Sequence, residues 1–227
     1  MRRPVIQSVG LPPEKHADRV VAEMLRFIAR EQQARRARPP LVHKAMSDGS
    51  PMAQERMVER IRRSGGPIVI DVKLTPGKRG RYLIELYDWC VWDDQRGIEI
   101  NPGDAIPNRP WLACNMTVIA GLGDGERRVE SHNVLFVTHH ALSRLAQRCG
   151  ARTVEDMIAA AKALWRAYYT YRRTMPLGVS TPDGTHIAVD LPAGMGRAVA
   201  VTRQHEEGGL IVATIIVGEG RDTALDA

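Results

Sequence analysis

The hydrophobic periodicity of the chain changes at Gly65 and Gly66, and this change constrains the fold more than any other feature. Before the glycines, apolar residues recur at helical spacing over residues 14–37, and a second helix is predicted to begin after Ser50, a good N-cap. After them, segment 67–74 is rich in β-branched residues and is predicted to be a strand. Helices and strands in separate runs are typical of an α+β fold.

The rest of the chain continues as strands, then helices, then strands. Further strands, forming an antiparallel meander, are predicted over 81–92, 111–120 and 127–137. Thr138 can cap a helix over 139–149, and Thr153 can begin a second helix with acidic residues in its first turn. The last predicted strands are 186–191, 197–205 and 209–218.

Length and charge bound the functional class. The predicted divisions are a helical basic region (1–66), a β-rich region (67–137), a helix-plus-sheet unit (138–218) and a flexible tail (219–227). The net charge is +6, and residues 1–66 alone carry 14 Lys and Arg against 7 Asp and Glu, a net +7. A second basic cluster lies near 144–173. A basic surface favours a polyanionic partner such as nucleic acid.

Several sequence features point to a cytoplasmic protein without a membrane partner. The longest apolar run, LIVATIIV at 210–217, is far shorter than the roughly 18 residues of a membrane helix. The N-terminus lacks the apolar segment of a secretory signal. The cysteines, Cys90, Cys114 and Cys149, form no CxxC pair, which indicates buried, reduced thiols. We therefore predict no cofactor and no metal site.

The segment HHALSRLAQR, residues 139–148, carries the strongest candidate site. With His140 at zero on a helical wheel of about 100° per residue, Arg144 falls at about 40° and Arg148 at about 80°. The apolar residues of the segment occupy a separate arc. The three basic side chains therefore form one ridge on the polar side of the predicted helix.

These residue types suit chemistry on a phosphate. Imidazole is a common general base, and a planar guanidinium holds a phosphate through two hydrogen bonds. The ridge therefore suits attack of an RNA 2′-hydroxyl on the neighbouring phosphate, a reaction that requires no metal ligands. Basic residues one turn apart are also common on a solvated helix face, and the residues alone leave both interpretations open.

The string HALSRLAQR, from His140 to Arg148, followed by TVEDM, resembles a signature of small RNase-like domains of the barnase/RelE-type toxin superfamily. The resemblance covers about residues 136–218. It implies a metal-independent endoribonuclease fold in which two helices precede an antiparallel sheet. It also implies that His140 is the catalytic base and that Arg144 and Arg148 hold the phosphate.

The same resemblance implies that charged residues from the sheet complete the catalytic set. The candidates are His186, Arg203 and His205. Arg203 and His205 share a predicted strand face with Val199 and Val201, from which they could project into a cleft. RNA is the favoured partner, and the further residues predicted to contact it are Arg35, Arg36, Arg152, Arg172 and Arg173.

Two other functions fit parts of the sequence. Asp71 and Lys73 match the D-x-K half of a metal-dependent nuclease motif, with Glu55 and Glu59 upstream. Alternatively, the chain is a non-enzymatic, protein-binding regulator, such as a phage or mobile-element factor. It would dock through its basic arm or through a tryptophan-rich sheet, although a sheet core is the commoner use of such aromatic residues. The aromatic residues concerned are Tyr82, Tyr87, Trp89, Trp92 and Trp111.

Overall fold

The predicted α+β class is confirmed. A computed structural model describes residues 13–36, 50–78, 81–100, 105–123, 126–176, 179–192, 194–206 and 208–217. The helices are α1 (Pro13–Arg36), α2 (Pro51–Ser64), α3 (His139–Arg148) and α4 (Val154–Thr174). The strands are β1 (Val69–Pro76), β2 (Tyr82–Asp93), β3 (Ile98–Glu99), β4 (Trp111–Gly123), β5 (Glu126–Val137), β6 (His186–Asp190), β7 (Arg197–Gln204) and β8 (Leu210–Val217).

Two compact units account for the described residues. The central unit comprises the described residues within 24–136 together with 208–209, and the C-terminal unit comprises 13–23, the described residues within 137–206, and 210–217. None of the described helices is long and apolar enough to cross a bilayer.

The predicted start of the first strand is wrong by two residues. Gly66–Ile68 form one 3-10 turn, in which Gly66 has a φ of 62°, and β1 begins only at Val69. Gly66 and Pro67 favour this turn over a strand, because glycine readily adopts a positive φ and proline is held near the helical φ of about −65°. The preceding helix begins as predicted: the Ser50 hydroxyl accepts a hydrogen bond of 3.3 Å from the Ala53 amide.

The central unit contains the predicted antiparallel meander. Its strands run in the order β1, β2, β4 and β5, with β1 and β4 antiparallel to β2, and the short β3 also pairs with β2. Helix α2 packs on β1. The apolar cluster between helix and sheet consists of Met57, Val58, Ile61, Val69, Val72, Tyr82, Ile84, Leu86 and Ile119.

Gly121 is required at its position because the Tyr82 ring lies over it. The two residues are cross-strand partners, and a Cβ at Gly121 would lie 2.2 Å from Tyr82 Cε1. We expect Gly121→Ala to lower the free energy of unfolding by about 1–3 kcal/mol, because the ring must shift. Urea denaturation checks this. In a Tyr82→Leu background the same substitution should cost much less, and an equal loss in both backgrounds would contradict the packing explanation.

The C-terminal unit is a two-helix layer on a three-stranded antiparallel sheet. The strands run β8, β7, β6, with α3 packed on β8 and α4 on β6. Side chains alternate along β7, where Ala198, Ala200 and Thr202 are buried, whereas Val199 and Val201 are half-buried. The buried side chains mark the face of the sheet on which the helices pack. Helices α3 and α4 therefore cover the face formed by Ala198, Ala200 and Thr202.

The three thiols are buried and free, as predicted. Burial raises the pKa of the Cys149 thiol to about 11, and burial also raises that of Cys114. Thiolate is the reactive form of cysteine. At neutral pH, both groups therefore behave as small apolar side chains rather than as nucleophiles.

Candidate nucleic-acid interface

Thr138 fixes the start of α3 on strand β8. Its hydroxyl accepts a hydrogen bond of 3.1 Å from the Ala141 amide and donates one of 3.1 Å to the Ala213 carbonyl. The register of β7 and β8 shifts at this point and leaves Ala213 without a partner on β7, so its carbonyl is available to Thr138. The predicted cap is confirmed, and it also attaches the helix to the sheet.

The polar side of α3 faces outward as the wheel predicts. Its buried residues are Ala141, Leu142, Ser143, Leu145 and Ala146. His140 and Arg148 are exposed, and Arg144 is half-buried. His140, Arg144 and Arg148, here called the α3 ridge, therefore lie along one solvent-facing line of the helix.

Ser143, on the buried side of α3, makes polar contacts with Asp18 and with His139. The Ser143 hydroxyl is 2.8 Å from Asp18 Oδ1, to which it donates, and 3.4 Å from His139 Nδ1. Ser143 is 9% exposed. The contact between Ser143 and Asp18 joins the first turns of α3 to α1 inside the C-terminal unit. Of the two neighbouring histidines, His139 lies beside this contact and His140 faces the solvent.

The ridge carries uncompensated positive charge. Within the described part of the chain, the side chains of Arg144 and Arg148 form no hydrogen bond and no ion pair. The segment 139–174, which spans both helices of the layer, carries seven Lys and Arg against two Asp and Glu, a net charge of +5. Two guanidiniums one turn apart on a fixed helix can bind one anion jointly.

Two of the three sheet residues predicted to complete a catalytic set, His186 and Arg203, lie on the face of the sheet that the helices do not cover. Arg203 is exposed and follows Val199 and Val201, so it points away from the face that α3 and α4 cover. His186 pairs with Val201 and shares that outer face. His205 lies just beyond the end of β7 and is half-buried. The structure thus brings together His140, Arg144 and Arg148, but it does not place Arg203 opposite them.

The residues predicted to make further RNA contacts have different environments. Arg152 and Arg173 are exposed in the C-terminal unit. Arg172 is half-buried and donates a hydrogen bond of 2.9 Å to the Val179 carbonyl. Arg35 forms an ion pair with Asp88 in the central unit and is therefore not a free phosphate ligand. Arg36 is the last residue of α1, and its side chain lies outside the described residues.

The Arg35 ion pair belongs to a polar network that the sequence pattern does not indicate. Asn115 Nδ2 donates to Asp88 Oδ1 at 3.2 Å, and Ser131 Oγ donates to Asn115 Oδ1 at 2.7 Å. Burial raises the pKa of the Asp88 carboxyl, although Arg35 and Asn115 act in the opposite direction. The network ties α1 to three strands of the central unit.

The D-x-K pair is not assembled with its upstream carboxylates. Val72 packs under α2, so Asp71 and Lys73 project from the opposite face of β1, away from Glu55 and Glu59 on that helix. Lys73 Nζ lies 3.7 Å from Asp71 Oδ2. Among the described residues, no group of three or more His, Cys, Asp or Glu side chains could hold a metal ion.

Four of the five aromatic sheet residues are buried in the core of the central unit, and Trp111 is half-buried there. Trp89 is 0% exposed, and Trp92 and Tyr87 are also buried. Phe136 packs edge-on against Trp92, with ring centroids 5.4 Å apart. These buried rings are therefore not presented to a base or to a partner protein.

A cavity of about 390 Å³ in the central unit is lined by Asp93, Gln95, Pro107, Asn108 and Arg109, none of which was a predicted site residue.

Comparison with known proteins yields no match to a family model, to a curated protein or to a solved structure.

Proposed function

We propose that this protein binds RNA and that the α3 ridge holds a phosphate of the RNA backbone. The observation that carries the proposal is the pair Arg144 and Arg148, which lie one turn apart on an anchored helix without a carboxylate partner in the described part of the chain. The planar guanidinium group of arginine binds two oxygens of a phosphate through a pair of parallel hydrogen bonds. The resemblance of HALSRLAQR to RNase-like toxin domains supports RNA as the source of that phosphate.

The finer proposal is that bound RNA is cleaved without a metal ion. The 2′-hydroxyl attacks the neighbouring phosphorus, and His140 Nδ1 or Nε2 accepts its proton. The bond to the 5′-oxygen breaks, and the imidazolium or water returns a proton to that oxygen, which leaves a 2′,3′-cyclic phosphate. Arg144 and Arg148 neutralise the charge that develops on the phosphoryl oxygens.

The cellular setting proposed is the cytoplasm. Three free, buried thiols are compatible with a reducing compartment. The alternative is a non-enzymatic regulator that docks on another protein through its basic arm or its tryptophan-rich sheet. Burial of Trp89 and Trp92 makes the sheet the weaker of these two surfaces, although Trp111 is half-buried.

The test is incubation of purified protein with single-stranded RNA in EDTA. We expect fragments with 2′,3′-cyclic phosphate ends, and we expect His140→Ala to abolish them while RNA binding persists. His132→Ala, which removes an exposed histidine of the central unit, is the matched control and should cleave normally.

Binding without cleavage would contradict the catalytic step and leave an RNA-binding protein. Neither binding nor cleavage at low ionic strength would contradict the proposed function as a whole.

A further inference from the structure

A second line of cationic side chains runs along α4. Lys162, Arg166, Tyr169 and Arg173 follow one another at spacings of four, three and four residues. On a helix these positions fall within an arc of about 60° and span about 17 Å of its length. They are here called the α4 stripe.

The stripe lies opposite the buried side of the helix. Arg166 and Arg173 are exposed, and Lys162 and Tyr169 are half-buried. The buried residues of α4 are Met157, Ile158, Ala160, Ala161, Ala163, Leu164 and Trp165. Because this apolar side already packs in the core of the C-terminal unit, α4 cannot turn it towards a lipid bilayer.

The charges of the stripe have no counter-ion in the described part of the chain. Lys162, Arg166 and Arg173 form no ion pair there. The acidic residues of α4 are confined to its first turn, and one of them, Asp156, caps the helix by accepting the Thr153 amide at 3.0 Å. The like charges therefore repel one another along the helix, which costs stability in the absence of an anion.

The charged form of Lys162 is disfavoured in the free protein. Burial lowers the pKa of its ammonium group, and the positive charge of Arg166 lowers it further. An anion bound between these two side chains would reverse the second effect. The free protein thus keeps two adjacent cations in a setting that an added phosphate would stabilise.

Tyr169 adds a rigid aromatic surface to the stripe. Its ring stacks on that of Trp165, with centroids 5.2 Å apart and an angle of 23° between the planes. Trp165 is 4% exposed, so the core holds the inner ring of the stack in place. A preorganised ring between cations is a typical platform for an unpaired base.

We propose that the α4 stripe binds a single-stranded segment of RNA, with its cations on successive phosphates and Tyr169 stacked on a base. The inference rests on the proposed function and extends it from one phosphate to a strand. A single strand is favoured over a duplex because only unpaired bases expose a face to Tyr169. The α3 ridge and the α4 stripe lie on two helices that cover the same face of the sheet, so both face the solvent from one helical layer.

The test measures fluorescence anisotropy of a labelled single-stranded RNA over a range of salt concentrations. Each phosphate contact to a single strand contributes about 0.7 to the slope of log affinity against log salt. The variant Lys162→Gln/Arg166→Gln/Arg173→Gln should therefore lower the magnitude of that slope by about 2. Arg56→Gln/Arg60→Gln/Lys78→Gln, which removes three exposed cations of the central unit, is matched in charge and should leave the slope nearly unchanged.

Tyr169 variants test the base contact separately. Tyr169→Leu should weaken binding of the single strand by about tenfold, and Tyr169→Phe should retain it, because stacking needs the ring and not the hydroxyl. A duplex of the same length should respond to the charge variant but not to Tyr169→Leu. Circular dichroism of each variant verifies that α4 remains folded.

The outcomes separate the two proposals. If the stripe variant binds like the wild type while an Arg144→Gln/Arg148→Gln variant does not, the stripe inference is overturned and the proposed function stands. If the central-unit control loses as much slope as the stripe variant, binding is unspecific charge attraction and the inference is also overturned. Equal affinity for anionic vesicles and RNA would contradict the choice of partner.

Discussion

Replacing Arg144 and Arg148 together by glutamine should weaken the binding of single-stranded RNA by about 100-fold or more. Hydrogen bonds to charged groups contribute about 1.5–3 kcal/mol each, and this variant removes one such contact from each of two side chains. Both side chains lack an intramolecular partner in the described residues, so their removal leaves no buried charge behind. Anisotropy titration at constant, low ionic strength measures the effect.

Two controls make this expectation specific. Arg144→Lys/Arg148→Lys keeps both charges but loses the planar fork, and it should fall between the wild type and the glutamine variant. Arg56→Gln/Arg60→Gln removes two exposed arginines of α2 and should bind within about twofold of the wild type. Wild-type affinity in the Arg144→Gln/Arg148→Gln variant would show that the α3 ridge does not contact the ligand.

Trp89→Ala should lower the free energy of unfolding by about 3–5 kcal/mol, the largest loss of stability that we expect from one substitution. Trp89 is fully buried in β2, where it pairs with Cys114 across the sheet. Truncation of the indole removes a large apolar contact area and leaves a cavity in the core beside the sheet. Urea denaturation followed by far-UV circular dichroism gives the difference.

The comparison with Trp89→Phe tests the reason for this loss. The Trp89 Nε1 atom is buried and has no hydrogen-bond partner among the described residues. Phenylalanine removes that unsatisfied donor together with part of the ring, so the two effects oppose each other and the net loss should be about 1 kcal/mol. A loss as large as that of Trp89→Ala would mean that the indole N–H has a partner that matters.

Local signals in the sequence were sufficient to locate the helices. Ser50, Thr138 and Thr153 each precede a helix, and each side chain accepts the expected backbone hydrogen bond. A capping interaction spans only three residues, so it can be read without knowledge of the fold. The solvent-facing side of α3 was also predictable from local sequence, because helical periodicity alone separates the polar arc from the apolar one.

Contacts between distant segments were beyond the reach of the sequence pattern. Alternation placed Arg203 with Val199 and Val201, but only the packing of α3 and α4 decides which face of β7 is covered. Ser143 and Asp18 are 125 positions apart, and neither is unusual in its own segment. The α4 stripe was readable in principle from the spacing of Lys162, Arg166 and Arg173. Its lack of counter-ions required the structure.

The most direct test of the central claim, that the basic helical layer of the C-terminal unit holds RNA, is photocrosslinking from a position beside the ridge. Gln147 lies on α3 about one turn after Arg144, at the edge of the ridge nearest His140, and is half-buried, so a benzophenone side chain in its place would report on a ligand there. Gln147→p-benzoylphenylalanine should crosslink to labelled single-stranded RNA, whereas the same replacement at the exposed Arg60 of α2 should not. Equal crosslinking at both positions, or crosslinking at Arg60 alone, would contradict the account.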